Sequence, residues 1–88
     1  MKLMITIIND IDNEAVSLAL VECGFRVTRV ASTGGFLRKG STTLMIGIEE
    51  KDIEKAVETI RNHTTVPEDK GMSRATIFVL NVADFIHL

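Results

Sequence analysis

The segment Thr33-Gly34-Gly35-Phe36-Leu37-Arg38-Lys39-Gly40-Ser41-Thr42-Thr43 brings together the residue types that hold a flat anion. Glycines let backbone N–H groups approach closely, an arginine offers forked donors, and an aromatic ring offers a stacking face. The segment lies in a run from Cys23 to Ile48 without Asp or Glu, in a chain whose net charge is −2. Arg26, Arg29, Arg38 and Lys39 fall in that run, four of the 10 basic residues. The pattern suggests a pocket for something like a nucleotide. It equally fits a β-hairpin loop with a solvated basic rim, and composition alone does not separate the two.

Other chemistry is poorly supplied. His63 stands near a helix end and His87 near the C-terminus, and neither has a second His or Cys at metal-ligand spacing. His63 reads as a charge at a helix C-terminus, and His87 as a solvated side chain. Cys23, the single cysteine, falls on an apolar helix stripe and reads as a small core residue. Asp10 and Asp12 read as helix N-caps rather than a carboxylate pair. An acyl-phosphate hydrolase would want a phosphate-cradling loop after the first strand, and none is present. No catalytic residue, metal or cofactor is expected, and the chain is not expected to be an enzyme.

Six elements must position the glycine segment. Leu3 to Ile8 is an apolar strand with Leu3, Ile5 and Ile7 on one face and Met4, Thr6 and Ile8 on the other. A helix follows, with Val16, Ala19, Leu20 and Cys23 as its stripe and Gly24 as its left-handed stop. Phe25 to Ser32 is a second strand, with Phe25 and Val27 facing one way and Arg26 and Thr28 the other. Its alternation slips at Arg29-Val30, as at a bulge or twist. Thr42 to Ile48 is the third strand, with Leu44 and Met45 as core candidates. Glu49 to Asn62 is a second helix with the stripe Ile53, Ala56, Val57 and Ile60, and with Lys51–Glu54 and Lys55–Glu58 at ion-pair spacing. A polar loop from His63 to Ser73 leads to the last strand, Arg74 to Val82.

The order β-α-β-β-α-β is the ferredoxin-like split arrangement, an α+β fold with a four-stranded antiparallel sheet and two helices on one face. The first and last strands are nevertheless apolar on both faces. An uncovered apolar face of that size is an association site, so a closed cyclic oligomer with sheets packed around its axis is expected. With 88 residues, one domain spanning 1–88 is expected. The apolar start is interrupted at Asn9, Asp10 and Asp12, so neither a signal peptide nor a membrane span is expected, and a reduced cytoplasmic protein is the default. A net charge of −2 argues against DNA or RNA as a non-specific partner.

Phe25-Arg26-Val27-Thr28, Thr33-Gly34-Gly35-Phe36-Leu37-Arg38, Gly40-Ser41-Thr42-Thr43 and Gly47 resemble the PII-like family of bacterial cyclic di-AMP receptors. Met1-Lys2-Leu3 through Asp10 and Asp12, and Ala75 to Val79, resemble its first and last strands. The resemblance implies a non-enzymatic signalling homotrimer with cyclic di-AMP in clefts between subunits. Arg26 and Thr28 would face the ligand. Gly35, Phe36 and Leu37 would line a base or present backbone N–H groups, Ser41 would stand where the family usually has Asn, and Gly47 would admit the ligand's bulk. Signalling would work by ordering the loops at Gly34–Gly40 and His63–Ser73, changing the surface offered to a protein target.

The sequence departs from the family at three places: Gly24 stands where Asn is usual, Ser41 replaces Asn, and the 63–73 loop is short and lacks an aromatic. The alternative is a trimer that has lost cyclic di-AMP binding and serves as a protein-interaction module, or that binds another nucleotide or small anion.

Overall fold

The computed structural model describes residues 1–30, 40–67 and 73–88. Along the chain stand β1 (Lys2–Asn9), α1 (Asn13–Glu22), β2 (Arg26–Val30), β3 (Ser41–Ile48), α2 (Ile53–Asn62) and β4 (Ala75–Asn81), with a 3-10 turn before each helix. The strands form one antiparallel sheet in the order β2-β3-β1-β4. This is the ferredoxin-like arrangement expected from the element order.

The pleat of β1 sorts its side chains. Met4, Thr6 and Ile8 are buried, whereas Leu3, Ile5 and Ile7 are only half-buried. Met4 lies opposite Ile46, and Thr6 opposite Leu44, so their side chains share the covered face. Val16 and Leu20 of α1 and Ala56 and Ile60 of α2 close over that face to form one core. Met45, expected in the core with Leu44, points the other way. It is half-buried on the face the helices do not reach, as its place between Leu44 and Ile46 in the pleat requires.

That second face carries Leu3, Ile5 and Ile7 of β1, Met45 of β3, and Phe78 and Leu80 of β4. Phe78 is 51% exposed and Leu80 47% exposed. The two-sided apolar character read from β1 and β4 is therefore real, and one side lacks a cover among the described residues.

The end of α1 obeys a local rule, whereas neither helix start carries a side-chain cap. Gly24 has φ +92°, its N–H donates to the Val21 carbonyl at 2.9 Å, and the Phe25 N–H donates to Leu20 at 3.0 Å. These are the paired bonds of a Schellman stop, which needs a left-handed residue. The start of α1 departs from the caps expected at Asp10 and Asp12. Neither Asn9 nor Asp12 caps a helix with its side chain. The 3-10 turn Asp10–Asp12 already supplies carbonyls at the entry to α1, which leaves both carboxylates for other segments. Asp12, 3% exposed, accepts from the Thr65 N–H at 3.1 Å and the Thr65 hydroxyl at 3.2 Å. Asp10 accepts from the Thr42 hydroxyl, and its N–H donates to the Gly40 carbonyl at 2.8 Å.

Two smaller expectations are also revised. β2 pairs with β3 without interruption from Arg26↔Gly47 to Val30↔Thr43, so there is no bulge at Arg29-Val30. The slip in hydropathy arises because Arg29 sits on the helix face at the sheet edge, where its side chain lines a groove beside Leu18 and Val21 of α1. The ion pair on α2 is Arg61–Glu58 at 3.2 Å, not the Lys51–Glu54 or Lys55–Glu58 pairs, and both partners are more than half exposed. Such a pair adds little stability.

Thr6 is the weak point of the core: its hydroxyl is buried without a hydrogen-bond partner. Burying a hydroxyl unpaired costs about 1–3 kcal/mol. Thr6→Val is therefore expected to raise unfolding stability by about 1 kcal/mol, read as a higher urea midpoint at unchanged slope. Leu44→Ala, at a fully buried neighbouring position, is expected to lower stability by about 2–5 kcal/mol in the same assay.

Candidate ligand site on the open face of the sheet

Arg26 and Thr28 stand two apart on β2, so their side chains leave the same face of the sheet. The register places Arg26 opposite Gly47 and Thr28 opposite Met45. Three of the residues singled out in the sequence, Arg26, Thr28 and Gly47, thus meet on the open face at the β2–β3 margin, and all three are exposed. A guanidinium beside a residue without a side chain leaves room for a planar or phosphorylated group to approach the strand.

Next to this cluster is a cavity of about 350 Å³ lined by Met1, Gly24, Arg26, Gly47, Asp52 and Lys55, among others. Its size is at the low end of ligand cavities, which run from about 300 to 1,000 Å³. A Cβ on Gly47 would come within 3.0 Å of the Met1 methyl carbon. The space above Gly47 is therefore bounded by the flexible tip of one side chain rather than by backbone.

Ser41 lies elsewhere. It opens β3, pairs with Asn9, and is buried. It lines a second cleft of about 200 Å³ with Asn9, Ser73, Arg74 and Thr76. Six residues of extended strand separate Ser41 from Gly47, or roughly 20 Å at about 3.4 Å per residue. Both project from the open face, but at opposite ends of it. Gly35, Phe36 and Leu37, with the rest of the glycine segment before Gly40, lie outside the described residues.

Two features escaped the sequence reading. Arg74 stands at the mouth of β4 beside Ser41's cleft, where its guanidinium also donates to the Arg61 carbonyl at 3.3 Å. Its position directly after a loop and before a strand was the available signal. The second is the tethering by Asp10 and Asp12 described above, hidden because the acceptor–donor pairs are 32 and 53 residues apart.

The remaining chemistry is modest. His63 ends α2 with Nδ1 2.8 Å from the Thr59 carbonyl, in keeping with a helix-end role. Cys23 is half-buried, its sulfur 3.8 Å from the Thr59 hydroxyl, so it flanks the core rather than filling it. Among the described residues no cluster of three or more His, Cys, Asp or Glu could hold a metal ion. Nor is any described helix long and apolar enough to cross a membrane.

The four-stranded sheet and its two helices define a small ferredoxin-like α+β domain. Comparison with known proteins makes this specific. The model of the cyclic-di-AMP receptor family matches residues 1–70, and the chain belongs to that family. Its structure is also similar to the crystal structure of a functionally unknown protein from Pediococcus pentosaceus ATCC 25745. The two share 34% sequence identity at a TM-score of 0.78, over 99% of this chain and 96% of that one.

Gly24 and Gly47 separate backbone demand from open space. Gly24 has φ +92° with nothing near its missing Cβ, whereas Gly47 has an ordinary φ. Gly24→Ala is expected to cost about 1 kcal/mol through the left-handed conformation. Gly47→Ala should leave the melting temperature nearly unchanged. Differential scanning calorimetry of the two variants checks this ordering.

Proposed function

We propose that this chain is a non-enzymatic receptor that binds cyclic di-AMP at clefts between the subunits of a homotrimer. The observation that carries the reading is the cross-strand pair Arg26–Gly47, flanked by Thr28, on the sheet face that the chain's own helices leave uncovered. Membership of the cyclic-di-AMP receptor family supplies the ligand class.

The open face supplies the reason for assembly. Leu3, Ile5, Ile7, Met45, Phe78 and Leu80 together form a contiguous apolar surface. Burying it against copies of itself in a closed ring satisfies the hydrophobic effect without leaving an unpaired face. The roughly 20 Å between the Ser41 and Gly47 ends of β3 then has a use, since one cleft would take one end from each of two neighbours. Arg26 would pair with a phosphate, Thr28 would donate its hydroxyl, and Gly47 would admit the nucleotide's bulk. Gly35, Phe36 and Leu37 would supply the base contacts, and Ser41 the polar contact from the far end. Ligand binding would change the surface shown to a protein target inside the cytoplasm.

Isothermal titration with cyclic di-AMP tests the ligand. Saturable binding at one site per subunit is expected, and no heat at high micromolar protein would sink the claim. Loss of a charge-assisted hydrogen bond costs about 1.5–3 kcal/mol, so Arg26→Ala is expected to weaken binding roughly ten- to hundredfold. Sedimentation velocity tests the assembly: the wild type should run as a trimer and Met45→Glu as a monomer. A monomeric wild type would overturn the trimer and the shared cleft with it.

The second reading is a trimer that has shed cyclic di-AMP and kept the interaction surface, or that takes another small anion. It is favoured by Gly24 and Ser41, neither of which can provide the contacts of an asparagine amide. A thermal-shift screen across mono- and dinucleotides separates the readings, because a specific ligand raises the melting temperature.

A further inference from the structure

The turn Asp10–Asp12 is three residues long, yet it holds two segments distant in sequence. Asp10 grips both neighbours of Ser41: its N–H donates to the Gly40 carbonyl at 2.8 Å, and its carboxylate accepts from the Thr42 hydroxyl. Asp12 grips the other segment, taking the Thr65 N–H at 3.1 Å and the Thr65 hydroxyl at 3.2 Å on the same oxygen. Neither side chain caps α1. Asp12 is 3% exposed, and Thr65 supplies both of its described donors. A carboxylate kept there serves the bonds it makes to Thr65, since the helix does not use it as a cap.

We propose that the Asp10–Asp12 turn is a strut coupling the start of β3, beside Ser41's cleft, to Thr65 in the segment after α2. In it Asp10 (through Gly40 and Thr42) and Asp12 (through Thr65) act as positioning residues that do not touch the ligand. The inference deepens the receptor reading and rests on it for its ligand arm. The turn is too short for its two ends to move independently, because three consecutive residues share one 3-10 hydrogen-bonded geometry. A shift of the Gly40–Thr42 segment is therefore felt at Thr65, and a shift at Thr65 is felt at Ser41. Contact at either end biases the other through a contiguous chain of hydrogen bonds.

Hydrogen exchange on the ligand-free protein tests the strut. Asp10→Ala is expected to speed exchange of the Thr65 amide at least fivefold while leaving the Ile60 amide in the core of α2 unchanged. Thr65→Val, which removes one donor to Asp12, is expected to speed exchange of the Asp10 amide in return. An unchanged Thr65 amide in Asp10→Ala overturns the proposal. Titration with cyclic di-AMP supplies the second arm, run well below every variant's melting temperature. Asp10→Ala and Thr65→Val should each weaken binding severalfold, and the double variant should be no worse than the weaker single. Strictly multiplicative losses, or none, overturn the coupling. A wild type that does not bind cyclic di-AMP removes the receptor reading instead, and the exchange arm still decides the strut.

Discussion

A four-stranded sheet has two faces, and two helices of ten residues can cover only one of them. That mismatch governs much of what this structure implies. β1 and β4 are apolar on both sides, so the covered face makes the core and the other face stays apolar and open among the described residues. Arg26, Thr28 and Gly47 lie on that uncovered face, at its β2–β3 margin. A purely internal core would have given a self-sufficient small domain with a polar outer sheet. Here the same alternation that buries Met4 and Ile8 presents Leu3, Ile5 and Ile7 outward.

The fold was legible because its signals are local. Alternation in β1 and β3, the helical stripes around Leu20 and Ile60, and the stop at Gly24 each follow from a few neighbouring residues. The faces of Arg26 and Thr28 were legible for the same reason, since a pleat needs only a period of two. Their meeting with Gly47 required the β2–β3 register, which the hairpin order suggested but could not number. Where the reading of Asp10 and Asp12 missed, the cause was non-local. Asp10 and Asp12 look like caps to any rule that reads forward along the chain. Their partners, Thr42 and Thr65, are reached only after folding. Arg29 looked like a bulge because an edge strand tolerates a charged side chain on its core face, where a central strand would not.

Position within the sheet also divides the candidate site by rigidity. Arg26, Thr28 and Gly47 are held by paired strands, so their geometry is set before a ligand arrives. Ser41 sits at the beginning of β3, where the pairing with β1 ends and the Asp10 tether begins. An arginine on a strand presents its guanidinium from a fixed stem, which lowers the ordering cost of gripping a phosphate. The family match, which spans β1 through α2 and ends before β4, covers all of these residues.

Met1 has a practical consequence for anyone handling this protein. Its side-chain tip stands over Gly47 and it forms part of the wall of the Arg26 cavity, while its carbonyl accepts from the Val82 N–H. Both the start of β1 and the end of β4 therefore emerge beside that cavity. An affinity tag or fluorescent fusion joined directly at Met1 would begin at the cavity's wall, and one following closely after Asn81 would begin nearby. Labels for quantitative work are better carried on the outer surface of α2, at Glu54 or Glu58, away from the sheet's open face.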